Sequence, residues 1–382
     1  IRQTSGWRKV RLLRPGRPTW LEVDLEAIAH NVGRIVDMVG PPSRVLAVLK
    51  ADAYGHGAVR VARTALNNGA QYVGVASINE GAIMRQSSIS APILVLGFTP
   101  AWQARELVLQ DLSATVFDLD VPRALSRAAR ELNREVRVHV KVDTGMGRLG
   151  LLPDQVLGYI QELQALPGLV LEGIFTHFSV ADSDIEYTQW QIERFRQVLA
   201  ELAGAGIEFP LVHAANSAAI LRLPGSHFSM VRLGIAMYGL DPSPQIRCPA
   251  DFRPALAFKT QVAQVKRLPP GSFVSYGNTF QTTEAQQIAV IPVGYADGFR
   301  RAPHHWGHVL VRGQRAPIVG RVCMDQTMIE VGHIAGVRQG DEVVLIGEQG
   351  KERITAEDVA ERLGTINYEV VSEILARVPR VV

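Results

Sequence analysis

Lys50 is the residue in this sequence that most directly suggests covalent chemistry. It ends a run of apolar residues at 45–49 that is typical of a buried β-strand. An amine in that position is partly removed from water, which lowers its pKa and makes it a better nucleophile towards a carbonyl group. A strand-end lysine can equally extend along the surface and keep its charged end in water. Lys50 by itself therefore leaves both interpretations open.

Polar residues and glycines follow several other apolar runs in the same manner. In chain order they are Asp52, Tyr54, Gly55, His56 and Gly57, then Lys141, Asp143, Gly145, Gly147 and Arg148, then Thr176 and His177, then His213, Asn216 and Ser217, and finally Arg232, Gly234 and Ile235. If the runs are parallel strands of a barrel, their C-terminal ends meet at one mouth, where the active sites of such barrels lie. The pattern predicts a single site at that mouth.

Eight compact apolar runs provide the strands that this site requires. They lie near 45–50, 72–77, 93–98, 113–117, 136–142, 170–177, 209–214 and 230–238. Segments with helical spacing separate them, such as 58–68, 121–132 and 187–203, and a further helical segment at 25–39 precedes them. Apolar strands joined by helices indicate a parallel sheet. The strand count favours an N-terminal (β/α)₈ TIM-type barrel over an open doubly wound sheet.

The pattern changes from about residue 251. Strand-like segments at 257–266, 288–293, 309–311, 318–322, 327–331 and 342–346 are joined by short turns rich in glycine and proline, and helical segments follow at 355–363 and 368–378. This predicts a mostly antiparallel β domain. We therefore expect a basic, flexible tail at 1–18, a barrel at 19–250 and a β-rich C-terminal domain at 251–382. The short strand at 20–24 is a candidate to pair with that last domain.

Composition and charge exclude several classes of protein. The 382 residues are 47% hydrophobic and 20% charged, which excludes a wholly disordered chain, and no apolar stretch has the length of a membrane-spanning helix. Two cysteines cannot form a disulfide framework, and their sparing use indicates a reducing compartment, here the cytoplasm. Residues 1–18 carry six basic and no acidic side chains, so the remainder has a net charge of −3. This argues against nucleic-acid binding.

The basic tail allows more than one interpretation. It lacks the apolar segment of a secretory signal, whereas its charge is compatible with an organelle-targeting peptide. We favour a flexible extension or a misassigned start. The sequence also begins with Ile1, which leaves the true start open.

Nine motifs in order resemble those of the bacterial alanine racemases. They are VLKADAYGHG (48–57), KVDTGMGRLG (141–150), THFSVAD (176–182), HAANSAA (213–219), MVRLGIAMYGL (230–240), VSYGNTF (274–280), VGYADGF (293–299), GRVCMDQTMI (320–329) and TINYEV (365–370). The resemblance implies a barrel followed by a β domain, pyridoxal 5'-phosphate as cofactor, and interconversion of L-alanine and D-alanine. It also implies a role in supplying D-alanine for cell-wall peptidoglycan.

The resemblance assigns two catalytic residues. Lys50 would bind the cofactor covalently and then act as acid and base on one face of the substrate. Tyr276 of the other subunit would act on the opposite face. A free phenol titrates near about 10, so such a tyrosine must be tuned to act as a base near neutral pH. The matching histidine, His177, would contact Tyr276 and Arg232, and Arg232 would face the pyridine nitrogen of the cofactor.

The remaining site residues also follow from the resemblance. The implied phosphate contacts are Tyr54, Ser217, Gly234, Ile235 and Tyr368, with Asn216 as a neighbouring support. Arg148 would contact the phenolic oxygen of the cofactor and the substrate carboxylate, and Lys141 matches a lysine that is carbamylated in many members. The backbone N–H of Met324 would bind the carboxylate, and Tyr295 would narrow the entrance. Because Tyr276, Tyr295 and Met324 act across subunits in this family, the implied unit is a homodimer with shared active sites.

Other functions remain open at this point. A racemase of the same fold that accepts serine or a broader range of amino acids differs only in pocket size. Amino-acid decarboxylases share the domain plan but typically carry a triple-glycine phosphate loop, and this sequence has none. A non-catalytic PLP-binding protein would resemble the barrel alone. A metal hydrolase is remote because no histidine pair has the spacing of metal ligands, and we expect no metal site and no membrane or nucleic-acid partner.

Overall fold

The fold is taken from a computed structural model that describes residues 16–382. The described chain forms two compact units, which we call the barrel unit (Leu25–Pro254) and the β unit (residues 16–24 with Ala255–Val382). Residues 1–15, most of the tail expected to be flexible, lie outside the described residues. Arg17, which belongs to the same tail, donates hydrogen bonds to both carboxylate oxygens of buried Asp297, over 2.6 and 3.3 Å.

Strands and helices occupy the following residues. The strands are β1 (Thr19–Val23), β2 (Arg44–Val48), β3 (Tyr72–Val75), β4 (Ile93–Val95), β5 (Ser113–Val116), β6 (Val136–Lys141), β7 (Leu169–Phe175), β8 (Leu211–His213), β9 (Met230–Leu233), β10 (Leu256–Gln261), β11 (Gln264–Leu268), β12 (Phe273–Val274), β13 (Phe280–Gln281), β14 (Gln286–Ile291), β15 (His308–Val311), β16 (Gln314–Pro317), β17 (Thr327–Glu330), β18 (Glu342–Gln349), β19 (Glu352–Ile354) and β20 (Arg380–Val381). The helices are α1 (Leu25–Val39), α2 (Lys50–Tyr54), α3 (Ala58–Asn67), α4 (Ile78–Gln86), α5 (Ala104–Leu109), α6 (Asp120–Glu131), α7 (Val156–Gln164), α8 (Ile185–Gly204), α9 (Ser217–Arg222), α10 (Ala356–Leu363) and α11 (Asn367–Ser372).

The barrel unit is a closed, parallel eight-stranded barrel. Strands β2 to β9 pair in chain order, and β9 closes the barrel by pairing with β2. The predicted TIM-type barrel is therefore confirmed. Most strand residues are buried, because the strands are covered on the outside by helices and their inward side chains fill the barrel.

The β unit consists of three sheets that are antiparallel at nearly every pairing. The largest has the strand order β16-β15-β18-β10-β1-β20, with β19 paired to β18, and the others are β11-β14-β17 and β12-β13. Within the described residues, β1–β20 is the one parallel pair of this unit. The predicted mostly antiparallel C-terminal fold is confirmed, and β1 pairs with β10 of the same unit.

Three predicted elements of the β unit differ from the structure. The segment 257–266 forms two strands, β10 and β11, rather than one. The expected strand at 318–322 is wrong, because the chain turns at Gly320 (φ +68°), where a Cβ would lie 2.6 Å from the carbonyl oxygen of Val274. The helix expected at 368–378 ends at Ser372, after which the N–H of Leu375 donates to the carbonyl of Asp297 instead of continuing the helix.

No helix within residues 16–382 is both long enough and apolar enough to cross a membrane.

Candidate active site

Lys50 begins a left-handed turn at the mouth of the barrel. Strand β2 ends at Val48, two residues before the lysine, so Lys50 belongs to α2 and not to the strand. The four residues Ala51–Tyr54 all have φ between 52° and 56°, the left-handed region that costs an L-residue about 1–2 kcal/mol each. Four consecutive non-glycine residues in this region are rare, and strain of this kind is concentrated at functional sites.

Two carboxylates, one from a neighbouring helix and one from the turn itself, stabilise this strained turn. Glu80 accepts hydrogen bonds from the backbone N–H of Ala51 (2.8 Å) and of Ala76 (2.7 Å), which ties the turn to the end of β3. Asp52 accepts from the N–H of Ala58 (2.7 Å) and so holds the start of α3. These bonds fix the backbone from which the Lys50 side chain extends.

The surroundings of Lys50 favour its neutral amine. Desolvation lowers the pKa of Lys50, and the charges of Arg148 and Arg232 lower it further, while Glu80 opposes them. Arg148 and Arg232 therefore lie close enough to Lys50, at the barrel mouth, to lower its pKa through their charges. A neutral amine is the form that attacks a carbonyl carbon or accepts a proton.

Ser217, Gly234 and Tyr54 form a small polar cradle beside the turn. The Ser217 hydroxyl accepts hydrogen bonds from the N–H of Gly234 (3.0 Å) and of Ala236 (3.3 Å), which leaves its O–H to donate outward. A Cβ on Gly234 would lie 3.1 Å from the Tyr54 hydroxyl and 3.5 Å from the Ser217 hydroxyl. Glycine therefore keeps this space open. The N–H of Ile235, the first residue of a 3₁₀ turn, is a further donor, because the first N–H groups of a helix have no partner within it.

Asn216 acts on this cradle through the backbone. Its side chain caps α9 by accepting a hydrogen bond from the N–H of Ala219 (3.1 Å). The cap fixes the start of the helix at Ser217.

Arg232 is buried in the mouth and makes four hydrogen bonds. Nη2 donates to the carbonyl oxygens of Thr176 (2.8 Å) and Ala214 (2.7 Å) and to Nδ1 of His177 (3.0 Å), and Nη1 donates to Nδ1 of His213 (2.9 Å). Burial lowers the pKa of Arg232 to about 9. Within the described residues its Nε makes no hydrogen bond, so that N–H is available to a ligand.

The contact with Arg232 determines the protonation of His177. Because a guanidinium only donates, Nδ1 of His177 must accept, and a neutral His177 carries its proton on Nε2. Burial and the positive charge of Arg232 lower the pKa of His177 well below its usual value, which keeps the ring neutral. His177 therefore presents an N–H donor on the side away from Arg232.

Lys141 and Arg148 line a cavity with His177. Lys141 is 6% exposed, and burial, followed by the charges of Arg148 and Arg232, lowers its pKa to about 8. Asp143 shapes the loop that carries Arg148: its carboxylate accepts hydrogen bonds from four successive backbone N–H groups, those of residues 145–148, over 2.8–3.2 Å. Burial raises the pKa of Asp143, but these bonds outweigh it and lower the pKa overall.

The β unit brings three further predicted residues together. Tyr276, Tyr295 and Met324 are 66%, 42% and 53% exposed, on three loops that contact one another. The N–H of Tyr295 donates to the carbonyl of Cys323 (3.1 Å), and the hydroxyl of Ser275 donates to the carbonyl of Arg321 (2.5 Å). Within residues 16–382 the N–H of Met324 has no hydrogen-bond partner. These loops form an exposed polar surface with an available donor.

Asp297 and Arg377 support this loop surface. Asp297 is fully buried and accepts hydrogen bonds from Arg17, Arg377 and the N–H of Gly294, next to Tyr295. Arg377 also pairs with Asp325, next to Met324. The two loops are thus joined through one arginine. Tyr368 lies in α11 of the same unit.

Two supporting residues were not assigned a role by the sequence. Asp143 was noted only as a strand-end residue, although an aspartate followed by Gly145 and Gly147 is a signal for a carboxylate that caps a loop of backbone N–H groups. Glu80 lies in α4, far from any motif residue in sequence, so only the fold identifies its contact with Ala51. The described residues contain no group of three or more histidine, cysteine or acidic side chains that could hold a metal ion.

Comparison with known proteins gives consistent matches along the chain. The family description "Alanine racemase, N-terminal domain" matches residues 23–242, and "Alanine racemase, C-terminal domain" matches residues 255–382. Alanine racemase of Symbiobacterium thermophilum is 48% identical over 95% of this chain and 97% of its own length. Alanine racemase of Desulfosudis oleivorans is 49% identical over 95% of this chain and 96% of its own. A crystal structure of alanine racemase from Bacillus anthracis with bound L-Ala-P superposes with a TM-score of 0.91 at 42% identity, covering 96% of this chain and 95% of that one.

Proposed function

This chain belongs to the alanine racemase family, and on that premise we propose that it interconverts L-alanine and D-alanine with pyridoxal 5'-phosphate as its cofactor. The chain is accordingly an isomerase. The observation that carries the proposal is the convergence at one barrel mouth of Lys50 on its left-handed turn, a polar cradle and the Arg232–His177 pair.

The residues of the mouth fit this cofactor. The cradle of Tyr54, Ser217 and Gly234 would offer hydroxyl groups to a phosphate, and Ile235 would offer its backbone N–H; phosphate binds readily at such donors. Tyr368 would complete the phosphate contacts. The available Nε of Arg232 would donate to a ring nitrogen, and Lys50 would bind the cofactor carbonyl. When bound, pyridoxal phosphate supplies the electron sink that stabilises a carbanion at the substrate Cα.

Racemisation requires proton transfer on both faces of the substrate Cα. Lys50 would move the proton on one face, with the neutral amine favoured by desolvation and by its cationic neighbours. Tyr276 of the partner subunit would act on the other face. The Nε2–H of His177 would donate to the phenol oxygen and stabilise its deprotonated form, which is the form able to accept a proton.

The substrate carboxylate would be bound by Arg148 and by the unpaired N–H of Met324 of the partner. We propose that Lys141 is carbamylated, which converts a buried cation beside Arg148 into an anion and removes the repulsion between them. Tyr295 of the partner would narrow the entrance. The exposure of Tyr276, Tyr295 and Met324 on one surface supports a homodimer in which the β unit of each protomer completes the other's site.

We further propose that the product serves peptidoglycan synthesis in the cytoplasm. A D-amino acid is a building block of bacterial cell walls, and the family resemblance extends over both domains. Within residues 16–382, Cys248 and Cys323 are not joined in a disulfide, which is consistent with a reducing compartment.

One experiment tests the activity and the choice of substrate together. The protein is incubated with pyridoxal phosphate and L-alanine in heavy water, and the product is analysed by chiral mass spectrometry. D-alanine that carries deuterium at Cα is the expected result. Pyruvate or an amine would indicate transamination or decarboxylation instead. Unchanged L-alanine with bound cofactor would overturn alanine as substrate, and serine and larger amino acids would then be tested in the same way.

A further inference from the structure

Arg232 is a buried cation without a nearby counter-ion. It is 4% exposed, and within residues 16–382 no carboxylate lies within ion-pair distance of its guanidinium. An isolated buried charge is costly unless hydrogen bonds or an opposite charge compensate it. Nη1 of Arg232 contacts His213, and hydrogen bonds continue from His213 to an opposite charge, the carboxylate of Glu172.

The hydrogen bonds that start at Arg232 have only one consistent direction. Nη1 of Arg232 donates to Nδ1 of His213 (2.9 Å), so neutral His213 carries its proton on Nε2. The Nε2 atom of His213 lies 2.9 Å from Nδ1 of His139, so Nε2–H donates and Nδ1 of His139 accepts. His139 then carries its proton on Nε2 and donates it to Oε2 of Glu172 over 2.9 Å.

Glu172 is the negative end of this relay. Its carboxylate also accepts a hydrogen bond from the hydroxyl of Ser113 (3.1 Å) and lies 3.8 Å from Arg137. Burial raises the pKa of Glu172, but the hydrogen bonds it accepts, first from His139, and the positive charge around it outweigh burial and lower the pKa overall. Ser113 is the first residue of β5 and Arg137 the second of β6, so the relay passes from the mouth towards the N-terminal half of the barrel.

The barrel is built to accommodate these rings. His139 pairs with Gly173 at the point where the β6–β7 register shifts, and a Cβ on Gly173 would lie 2.3 Å from Nδ1 of His139. Only glycine leaves room for the imidazole there. The ring of Phe175 stacks on His213 with the ring centroids 4.6 Å apart and the planes at 5°. Both histidines are fully buried, and their positions are fixed by packing.

We propose that Glu172, His139 and His213 are positioning residues for the racemase: they form a directional hydrogen-bond relay that holds the Arg232 guanidinium, and through it His177, in the orientation that the cofactor requires. The relay supplies the negative charge that the mouth lacks around Arg232. It leaves Nε of Arg232 directed to the ligand, since both terminal nitrogens are bound by the protein. This inference rests on the proposed function for its effect on the cofactor, but the relay itself is a property of the chain.

Histidine tautomers provide the direct test. In long-range ¹H–¹⁵N spectra of the full-length protein labelled with ¹⁵N-histidine, we expect the tautomer with the proton on Nε2 for His139, His177 and His213. Single His→Gln variants assign the signals. A proton on Nδ1 of His139 or of His213 in the native protein would overturn the relay, because one of its bonds would then join two donors or two acceptors.

Two substitutions of Glu172 distinguish an effect of the hydrogen-bond relay from an effect of side-chain packing alone. Glu172→Gln keeps an oxygen that accepts from His139, so the native tautomers should persist. Glu172→Met fills a similar volume without an acceptor, and we expect Nδ1–H signal to appear at His139. Ser113→Ala is the matched control, because it removes a neighbouring bond to Glu172 and leaves the relay intact.

The same variants are assayed for affinity towards pyridoxal phosphate by fluorescence titration and for kcat as a function of pH. Loss of such an outer contact typically costs about tenfold or more, and we expect this loss in both affinity and kcat for Glu172→Met. Glu172→Gln keeps the acceptor but removes the charge, so its loss should be smaller than that of Glu172→Met, and Ser113→Ala should stay near the native values. Unchanged tautomers and affinity in Glu172→Met would contradict the proposal. An inactive native protein with the expected tautomers would instead refute the proposed function alone.

Discussion

Arg232 donates a hydrogen bond from Nη2 to Nδ1 of His177 over 3.0 Å, and this one contact decides which nitrogen of His177 carries a proton. The ring must then present Nε2–H outward, towards the side where a partner tyrosine would approach. Burial lowers the pKa of Arg232 to about 9, which still leaves the guanidinium protonated at neutral pH, so Arg232 fixes the arrangement without taking part in proton transfer. The proposed two-face chemistry depends on this fixed donor.

Tyr276→Phe should distinguish proton transfer on one face of the substrate Cα from proton transfer on the other. Because the equilibrium constant of racemisation is unity, kcat/KM must fall equally in both directions, so steady-state rates cannot show the asymmetry. Exchange of the Cα hydrogen with solvent can show it. We expect one enantiomer to keep exchanging through Lys50, whereas exchange of the other falls by about 10²–10⁴-fold, the usual effect of losing a general base.

The measurement is deuterium uptake into each recovered enantiomer in heavy water. Tyr72→Phe is the control, since the Tyr72 hydroxyl contacts Arg44 at the N-terminal end of β3, away from the mouth, and both enantiomers should exchange as in the native protein. Equal losses for both enantiomers in Tyr276→Phe would contradict a two-base mechanism.

Inactive subunits should complement each other if the sites are shared. Lys50→Ala and Tyr276→Ala are each expected to lack activity, because each removes one of the two proton-transfer groups. In a hybrid dimer one site carries both changes and the other carries neither. Random pairing on co-expression should therefore restore up to about a quarter of native activity. Activity no higher than that of the separate variants would show that each protomer has a complete site.

Carbamylation of Lys141 should depend on pH in a defined direction. The neutral amine attacks carbon dioxide, forming a C–N bond and releasing one proton. Because burial, Arg148 and Arg232 lower the pKa of Lys141 to about 8, the neutral fraction grows as pH rises through that value. We expect a ¹³C carbamate signal with labelled bicarbonate that increases from below to above the pKa.

Lys141→Gln should abolish this signal, and Lys266→Gln, on strand β11, should leave it unchanged. Loss of the anion beside Arg148 should also raise KM for alanine by about tenfold, the effect of one hydrogen bond to a charged group. A carbamate signal that persists in Lys141→Gln would assign the modification to another amine.

Glycine should stabilise the turn that follows Lys50. Ala51 is exposed and has φ 53°, so Ala51→Gly relieves about 1–2 kcal/mol of left-handed strain and costs about 0.5–1 kcal/mol in chain entropy. The free energy of unfolding, measured by urea titration, should rise by up to about 1 kcal/mol. Ala200→Gly is the matched control in right-handed α8 and should lower it by about 1 kcal/mol. A similar loss in both variants would show that the left-handed turn is not strained.

The sequence by itself determined the barrel and the β domain, and it supplied the residues of the proposed site. Apolar runs separated by helical segments allow few arrangements, because parallel strands need long crossovers and eight of them close into a barrel. Closure then brings the strand ends together, so residues as distant in sequence as Lys50 and Arg232 could be assigned to one mouth. The nine motifs are the basis of the chemistry proposed for these residues.

The tertiary structure alone decided how these residues are oriented. No local pattern in residues 51–54 predicts a left-handed turn, since none is glycine and its stability comes from Glu80 on another element. The predicted strand at 318–322 was wrong for the same reason, a contact with another element. The chain turns at Gly320, where the carbonyl of Val274 leaves no room for a Cβ. Hydrophobic spacing reports which residues are buried, and it carries no information about contacts between strands.

The relay from Arg232 to Glu172 shows this limit most clearly. Its members lie on four different strands or strand ends, and each taken alone is an ordinary buried or half-buried polar residue in the sequence. What joins them is the register of the closed barrel, which places one imidazole opposite a glycine and the next beside an arginine. The direction of each hydrogen bond depends on the whole series of contacts, because each donor fixes the tautomer of the next ring. Only the folded structure brings these contacts together.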